Sequence, residues 1–280
     1  MRTRHSPAVR VAFYVFLLVA LVYTVFPFYW AVNTSLMSRG DLMSVPPVYF
    51  PTEPTAESYR NVMESRLFLL ALRNSAIVAG GATLLALAAG SLAACALGRF
   101  RFRGRRWMLY LVLSMTMFPQ IAIVGSLYSM VVRAGLYNTH LALILTYLLT
   151  ILPFTVWVLS NFFKTLPKEL EESAYVDGAS PFQAFWRILL PLSAPGLVTT
   201  GLLAFITSWN EYLFALSFTQ DEAARTVPVV VAEFRGITEF EIPWGEIMAG
   251  GVIATGPLIL LVILFQRRIV SGLTAGAVKG

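Results

Sequence analysis

The stretch Leu69–Arg106, LLALRNSAIVAGGATLLALAAGSLAACALGRFRFRGRR, decides how the whole chain is read. Its first part, Leu69–Leu97, is apolar over more than the roughly 20 residues that cross a hydrocarbon layer about 30 Å thick. Its end, Arg99–Arg106, packs five Arg into eight residues, a density that resists translocation and holds this loop on the inner side of a membrane. Within the first part Ala82, Ala86, Gly90 and Ala94 recur four apart. Such a stripe of small side chains lets helix backbones approach closely. One span and its inner end are thus fixed, and the others are counted outward from it.

The rest of the chain agrees. Of 280 residues, 57% are hydrophobic and only 13% charged, with a mean hydropathy of +0.70. A soluble domain is about a quarter charged, and the short alternating segments of a membrane barrel are absent. The fold class is an all-α polytopic membrane protein, a single transmembrane domain over residues 1–280. Its spans are predicted at about 11–32, 69–97, 107–132, 141–163, 195–218 and 247–265. The first follows Arg2, Arg4 and Arg10, as a signal peptide would. It exceeds the usual h-region of about 7–15 residues and lacks a small-residue cleavage site, so it is read as uncleaved. With the N-terminus inside, inner segments hold twice as many Lys and Arg as outer ones. Both termini and the segment 164–194 then face the cytoplasm. Outside lie a Pro-rich connection, Met37–Phe68, and an acidic one, Thr219–Glu246, expected to carry a short strand or helix.

Several functions are disfavoured by what the chain contains. The net charge of +6 is carried by Arg beside apolar spans without an aromatic stacking platform, which fits membrane topology rather than nucleic acid. The lone Cys95 supports no disulfide framework. No phosphate-cradling Gly-x-x-x-x-Gly-Lys-[Ser/Thr] occurs, and His5 and His140 lack metal-ligand company. The chain is expected to be neither a catalyst nor the holder of a cofactor or metal.

Residues 167–191 stand apart from this background. A helix is predicted from about Pro167, with Glu169, Glu171 and Glu172 at the positive end of its dipole and Gly178 as its left-handed stop. Ser180, Pro181 and Gln183 spell a capping box for a second helix, ended by Pro191 and Pro195. Phe182, Phe185, Ile188 and Leu189 share one side of it. That side either fills a groove on a partner or rests on the chain's own bundle or the headgroups. Within the membrane, Gln120 after Pro119 and the pair Asn210–Glu211 are candidates for a translocation path, since polar groups at this depth face a bundle or water. Pro119 and Pro153 are expected to kink their spans. Trp209, Tyr212, Phe214 and Tyr128 could offer stacking faces to a ligand, but aromatics at span edges are ordinary interfacial anchors.

The inner segment resembles the signature of integral-membrane permease subunits of binding-protein-dependent ATP-binding-cassette importers. Glu172, Ser173, Ala174, Gly178, Ile188, Leu190 and Pro191 match its spacing, with Ser173 in place of an Ala. The likeness extends to Asn33–Leu36, Pro54–Tyr59, Leu136–Leu143, Trp209–Leu216 and the tail Gly272–Gly280, which are similar to the smaller permease of maltose-type carbohydrate importers. The resemblance implies half of a translocation path in a bacterial or archaeal cell (inner) membrane. It implies three kinds of partner: a larger permease, a dimer of ATP-binding subunits that hold ATP and Mg, and an extracytoplasmic sugar-binding protein facing Thr219–Glu246. Glu172 would anchor to a basic group of the ATPase, and the Phe182/Phe185/Ile188 side would be buried there. Gly272, Thr274 and Gly276 would reach into the ATPase dimer. The rival reading is a self-contained ion-coupled carrier, which would be expected to show repeated halves and more mid-membrane charges than Glu211.

Overall fold

The structure is a computed structural model that describes residues 7–235 and 242–274. Among them every regular element is helical. In chain order these are α1 (Pro7–Ser35), α2 (Arg39–Leu42), α3 (Glu57–Glu64), α4 (Arg66–Arg99), α5 (Arg105–Met115), α6 (Gln120–Arg133) and α7 (His140–Thr165). There follow α8 (Glu169–Val176), α9 (Pro181–Ala184), a π turn (Phe185–Leu189) and α10 (Leu190–Leu192). The last are α11 (Ala194–Trp209), α12 (Leu213–Phe218), α13 (Val227–Ala232) and α14 (Trp244–Thr274).

Among the described residues, four helices are long and apolar enough to cross a membrane: Ala8–Ser35, Arg66–Arg99, His140–Thr165 and Trp244–Gln266. Two bent pairs also pass in length and composition, Arg105–Met115 with Gln120–Arg133 at 90° and Pro181–Leu192 with Ala194–Trp209 at 75°. The third span, predicted over 107–132, is two helices that pass together as one bent span in length and composition. Thr116, Met117 and Phe118 close tight i→i−3 turns, and Pro119, extended at ψ 123°, starts α6 anew. A proline that removes an N–H here breaks the helix rather than kinking it. Pro153 behaves otherwise, for α7 runs past it without interruption. The fifth span, predicted over 195–218, is likewise two helices, interrupted at Asn210–Tyr212. In the acidic connection the short element is α13.

The chain divides into two compact units, one of Met1–Phe68 with Val231–Thr255 and one of Leu69–Val230 with Gly256–Gly280. In the first, the residues after α1 are tied by side chains. Asn33 donates to the Tyr49 carbonyl (3.1 Å), Ser35 and Tyr59 share a hydroxyl bond (2.7 Å), and Asp41 accepts from the backbone and hydroxyl of Thr52. Those bonds, chiefly the one from the Thr52 hydroxyl, hold the Asp41 carboxyl below its usual range. In the second unit the core is the seam between α4 and α7, where Val78, Ala82 and Ala86 meet Leu143, Tyr147 and Ile151. The predicted small-residue stripe lies in it: Ala82, Ala86 and Ala94 are fully buried. A methyl group on Gly90 would lie 2.7 Å from Cγ2 of Thr155, and one on Gly98 would lie 3.0 Å from the Ser160 carbonyl oxygen. The two backbones are that close because the side chains between them are absent.

Candidate functional site

The two predicted helices of the inner segment are present. The first stops as expected. Gly178 adopts φ +83°, its N–H bonds the Tyr175 carbonyl (3.1 Å), and the Ala179 N–H bonds the Ala174 carbonyl (2.9 Å). These are the paired bonds of a Schellman cap, which a left-handed glycine permits. Ser180 accepts from the Gln183 N–H (3.3 Å) while the Gln183 side chain accepts from the Ser180 N–H (2.8 Å), completing the capping box.

Three local expectations are corrected. The first helix begins at Glu169 rather than at Pro167, because Leu166 is extended (ψ 140°) and the carbonyls of Leu166 and Pro167 are turned to Arg99. The second helix does not end at Pro191 but runs to Leu192 by way of the π turn. That wider turn lies where the Pro191 ring would otherwise crowd the carbonyl four residues earlier. Pro195 then opens α11 from within its first turn.

The third correction concerns the apolar side. Phe185 is only 5% exposed and, with Leu189, packs into a cluster of Ala94, Cys95, Leu159 and Phe163. Leu190 flanks that cluster and Ile188 is half-buried. Phe182, by contrast, is 65% exposed, and Trp186 one turn on is 61% exposed. The helix thus has two apolar stripes, Phe185/Leu189 against its own bundle and Phe182/Trp186 open to the outside. Trp186 was not singled out by sequence, although it lies one turn from Phe182. Glu172 and Ser173 are exposed on α8, and Ala174 is buried.

What the sequence did not reveal is how α8 is held. Arg99, the last residue of α4, is 4% exposed; its Nε donates to Oε1 of Glu171. Its Nη1 donates to the carbonyls of Phe163 (3.1 Å) and Leu166 (2.8 Å), and its Nη2 to that of Pro167 (3.2 Å). One guanidinium thereby joins the end of α4, carbonyls at the end of α7 and the first turn of α8. A bidentate, planar donor suits such a junction, and a lysine could not span it. The five-Arg loop announced only topology, and nothing in spacing pairs residues 99 and 171.

The intramembrane candidates are not gathered into one place by any contact described. Gln120 stands half-exposed in the first turn of α6. Asn210 is exposed, its amide donating to the Ile206 carbonyl (2.8 Å). Glu211 is a helix cap. Its two carboxylate oxygens accept the N–H groups of Phe214 (2.8 Å) and Ala215 (3.1 Å) at the positive end of the α12 dipole. Trp209 and Phe214 are buried, which removes them as open stacking faces. Of the tail, Gly272 and Thr274 fall in the last turns of α14, and Gly276 lies outside the described residues.

Among the described residues every regular element is helical, several helices are long and apolar enough to cross a membrane, and a short helix meets one end of another at 75°. The chain belongs to the family described as the binding-protein-dependent transport system inner membrane component, which matches residues 86–275. It is 45% identical to the trehalose/maltose transport system permease protein MalG of Thermococcus litoralis, over 91% of each chain. It is 42% identical to the trehalose transport system permease protein SugB of Mycobacterium tuberculosis, over 92% of this chain and 93% of the other. Among solved structures, a bacterial ABC transporter that imports the acidic polysaccharide alginate shares the fold (TM-score 0.79, 20% identity, 94% of this chain and 98% of that one). Family membership sets aside the self-contained carrier.

Proposed function

We propose that the chain is the smaller permease of a sugar importer driven by ATP hydrolysis in partner subunits. What carries the reading is its 45% identity, over nine-tenths of both chains, to a permease named for trehalose and maltose. In this reading the chain crosses a bacterial or archaeal cell membrane six times with both ends inside: α5 with α6 makes the third crossing, α11 with α12 the fifth, and α8 to α10 stay on the cytoplasmic side. A larger permease supplies the other half of the path, and an extracytoplasmic binding protein delivers the sugar. ATP and Mg belong to a dimer of ATPase subunits, and this chain holds no cofactor of its own.

The mechanism follows from which groups are exposed. Glu172 and the Phe182/Trp186 stripe offer a charged anchor and an apolar knob to a cleft on the ATPase. Phe185 and Leu189 fasten the second helix to α4 and α7, and the Arg99 bond to Glu171 fastens the first. Closure of the ATPase dimer displaces the knob, and Arg99 passes that displacement to the ends of two spans at once. Because the junction is hydrogen-bonded at every donor used, α8 moves with those spans rather than against them.

The test is purification and uptake. Tagged chain is expected to bring down an ATPase and a second permease, and vesicles holding the assembled transporter and its binding protein are expected to accumulate labelled trehalose or maltose only with internal ATP. Glu172→Lys should abolish uptake at an unchanged membrane level. Uptake by this chain without an ATPase, or wild-type uptake in the Glu172→Lys variant, would overturn the proposal.

A further inference from the structure

Beside the coupling helices, the loop between α4 and α5 encloses a pocket of about 640 Å³. Arg101, Arg105, Arg106 and Lys164 line it together with Phe102 and Trp107, and no carboxylate is among its lining residues. Arg105 shapes it, since its guanidinium donates back to the carbonyls of Gly98 (2.9 Å) and Phe100 (3.3 Å) and so folds the loop over. Gly104, at φ +87°, precedes α5 without a side-chain cap, which leaves the positive end of that helix at the pocket's edge. Lys164 donates to a neutral partner, the Asn161 side-chain oxygen (3.0 Å). Positive-inside topology needs basic residues near a span. It does not need four of them around one concavity.

The wall that continues from this pocket is apolar. Trp107 is 77% exposed, and Met108, Tyr110 and Leu111 on α5 are all exposed large side chains. No residue of α5 is buried. A soluble polyanion would cover the cations and leave that wall bare. A ligand with a phosphate and two acyl chains covers both, with Trp107 at the headgroup level where indole rings settle. Basic pockets between membrane helices take anionic headgroups for the same electrostatic reason.

We infer that this pocket is a binding site for an anionic phospholipid, the phosphodiester held by Arg101, Arg106 and Lys164 and the acyl chains running along α5. The inference requires α5 and α7 to be embedded in a bilayer, and it holds whichever sugar is carried. Each basic residue at a membrane surface strengthens binding about fivefold, so removing three should weaken it about a hundredfold.

The experiment is native mass spectrometry of the purified full chain with three probes: dioleoyl phosphatidylglycerol, dioleoyl phosphatidylcholine and inorganic phosphate. The wild-type chain is expected to retain phosphatidylglycerol at least tenfold over phosphatidylcholine, with the preference falling as salt rises. The Arg101→Gln/Arg106→Gln/Lys164→Gln variant should lose the preference, while Arg133→Gln, at the end of α6, should keep it. Equal retention of the two lipids by the wild-type chain would overturn the site without any variant, even if the triple variant failed to insert. Survival of the preference in a folded triple variant would do the same. Displacement of the lipid by equimolar inorganic phosphate would reassign the pocket to a free anion, and its expulsion on assembly with the partner chains would reassign it to a protein contact.

Discussion

Removing the Arg99 guanidinium should loosen α8 more than removing the Glu171 charge, and the two changes should not add. Arg99→Met takes away four hydrogen bonds at once, and it strands a Glu171 carboxylate that is only 13% exposed. Breaking a buried pair from one side costs about 3–5 kcal/mol, most of it the orphaned charge. Glu171→Gln keeps an acceptor for Nε and all three carbonyl bonds, so it loses only charge assistance, about 1–2 kcal/mol. The measurement is hydrogen exchange at the α8 amides of the full chain in nanodiscs. A difference of about 1.4 kcal/mol is tenfold in exchange, so Arg99→Met should speed these amides by at least about a hundredfold and Glu171→Gln by about tenfold. In the Arg99→Met background, adding Glu171→Gln should slow exchange again, because it removes the unpaired charge. If the double variant exchanged faster than Arg99→Met alone, the pair would not be coupled and Arg99 would not be the junction.

Three further outcomes follow from packing and protonation. Phe185→Ala should lower the amount of chain in the membrane, costing about 3–5 kcal/mol as a large buried ring is lost, whereas Phe182→Asp should leave that amount unchanged and weaken ATPase retention; quantitative blotting and pull-down separate the two. Gly98→Ala should destabilise by about 1–3 kcal/mol because its methyl meets the Ser160 carbonyl and Phe163 Cβ, while Gly80→Ala, with open space around it, should be neutral or better in thermal unfolding. Asp221 accepts from the Asn138 amide and the Ala223 N–H, both 2.9 Å, and these bonds hold its carboxyl below the usual value of 3.8. A depressed carboxylate contributes its stability above that value and loses it as pH falls through the folded one. Exchange at Gln220 and Ala223 should therefore quicken below about pH 3.8, with the step lost at Gln220 but kept at Ala223 in Asn138→Ala.

How far the sequence could be read depended on the distance over which each signal acts. Gly178, Ser180 and Gln183 act on neighbours within three or four residues, so the stop, the capping box and the turn between α8 and α9 were all legible. The α4 stripe was legible too, since residues four apart share a face whatever packs there. Pro119 shows where the rule weakens: the same residue type is absorbed in α7 at Pro153 but stands at a 90° break before α6. The apolar side of 182–189 is the clearest failure. Phe182 and Phe185 lie three apart and were grouped on one face, yet the site that takes Phe185 is built by Phe163, Leu159 and Cys95, contributed by two other helices. A period states that a side exists without stating what it meets. Arg99 was invisible for the opposite reason. Its charge was already accounted for by topology, and only the fold brings Glu171, 72 residues later, to the same guanidinium. The residues that fasten α8 and α9 thus come from far along the chain, while the caps and the turn that shape the two helices are written locally.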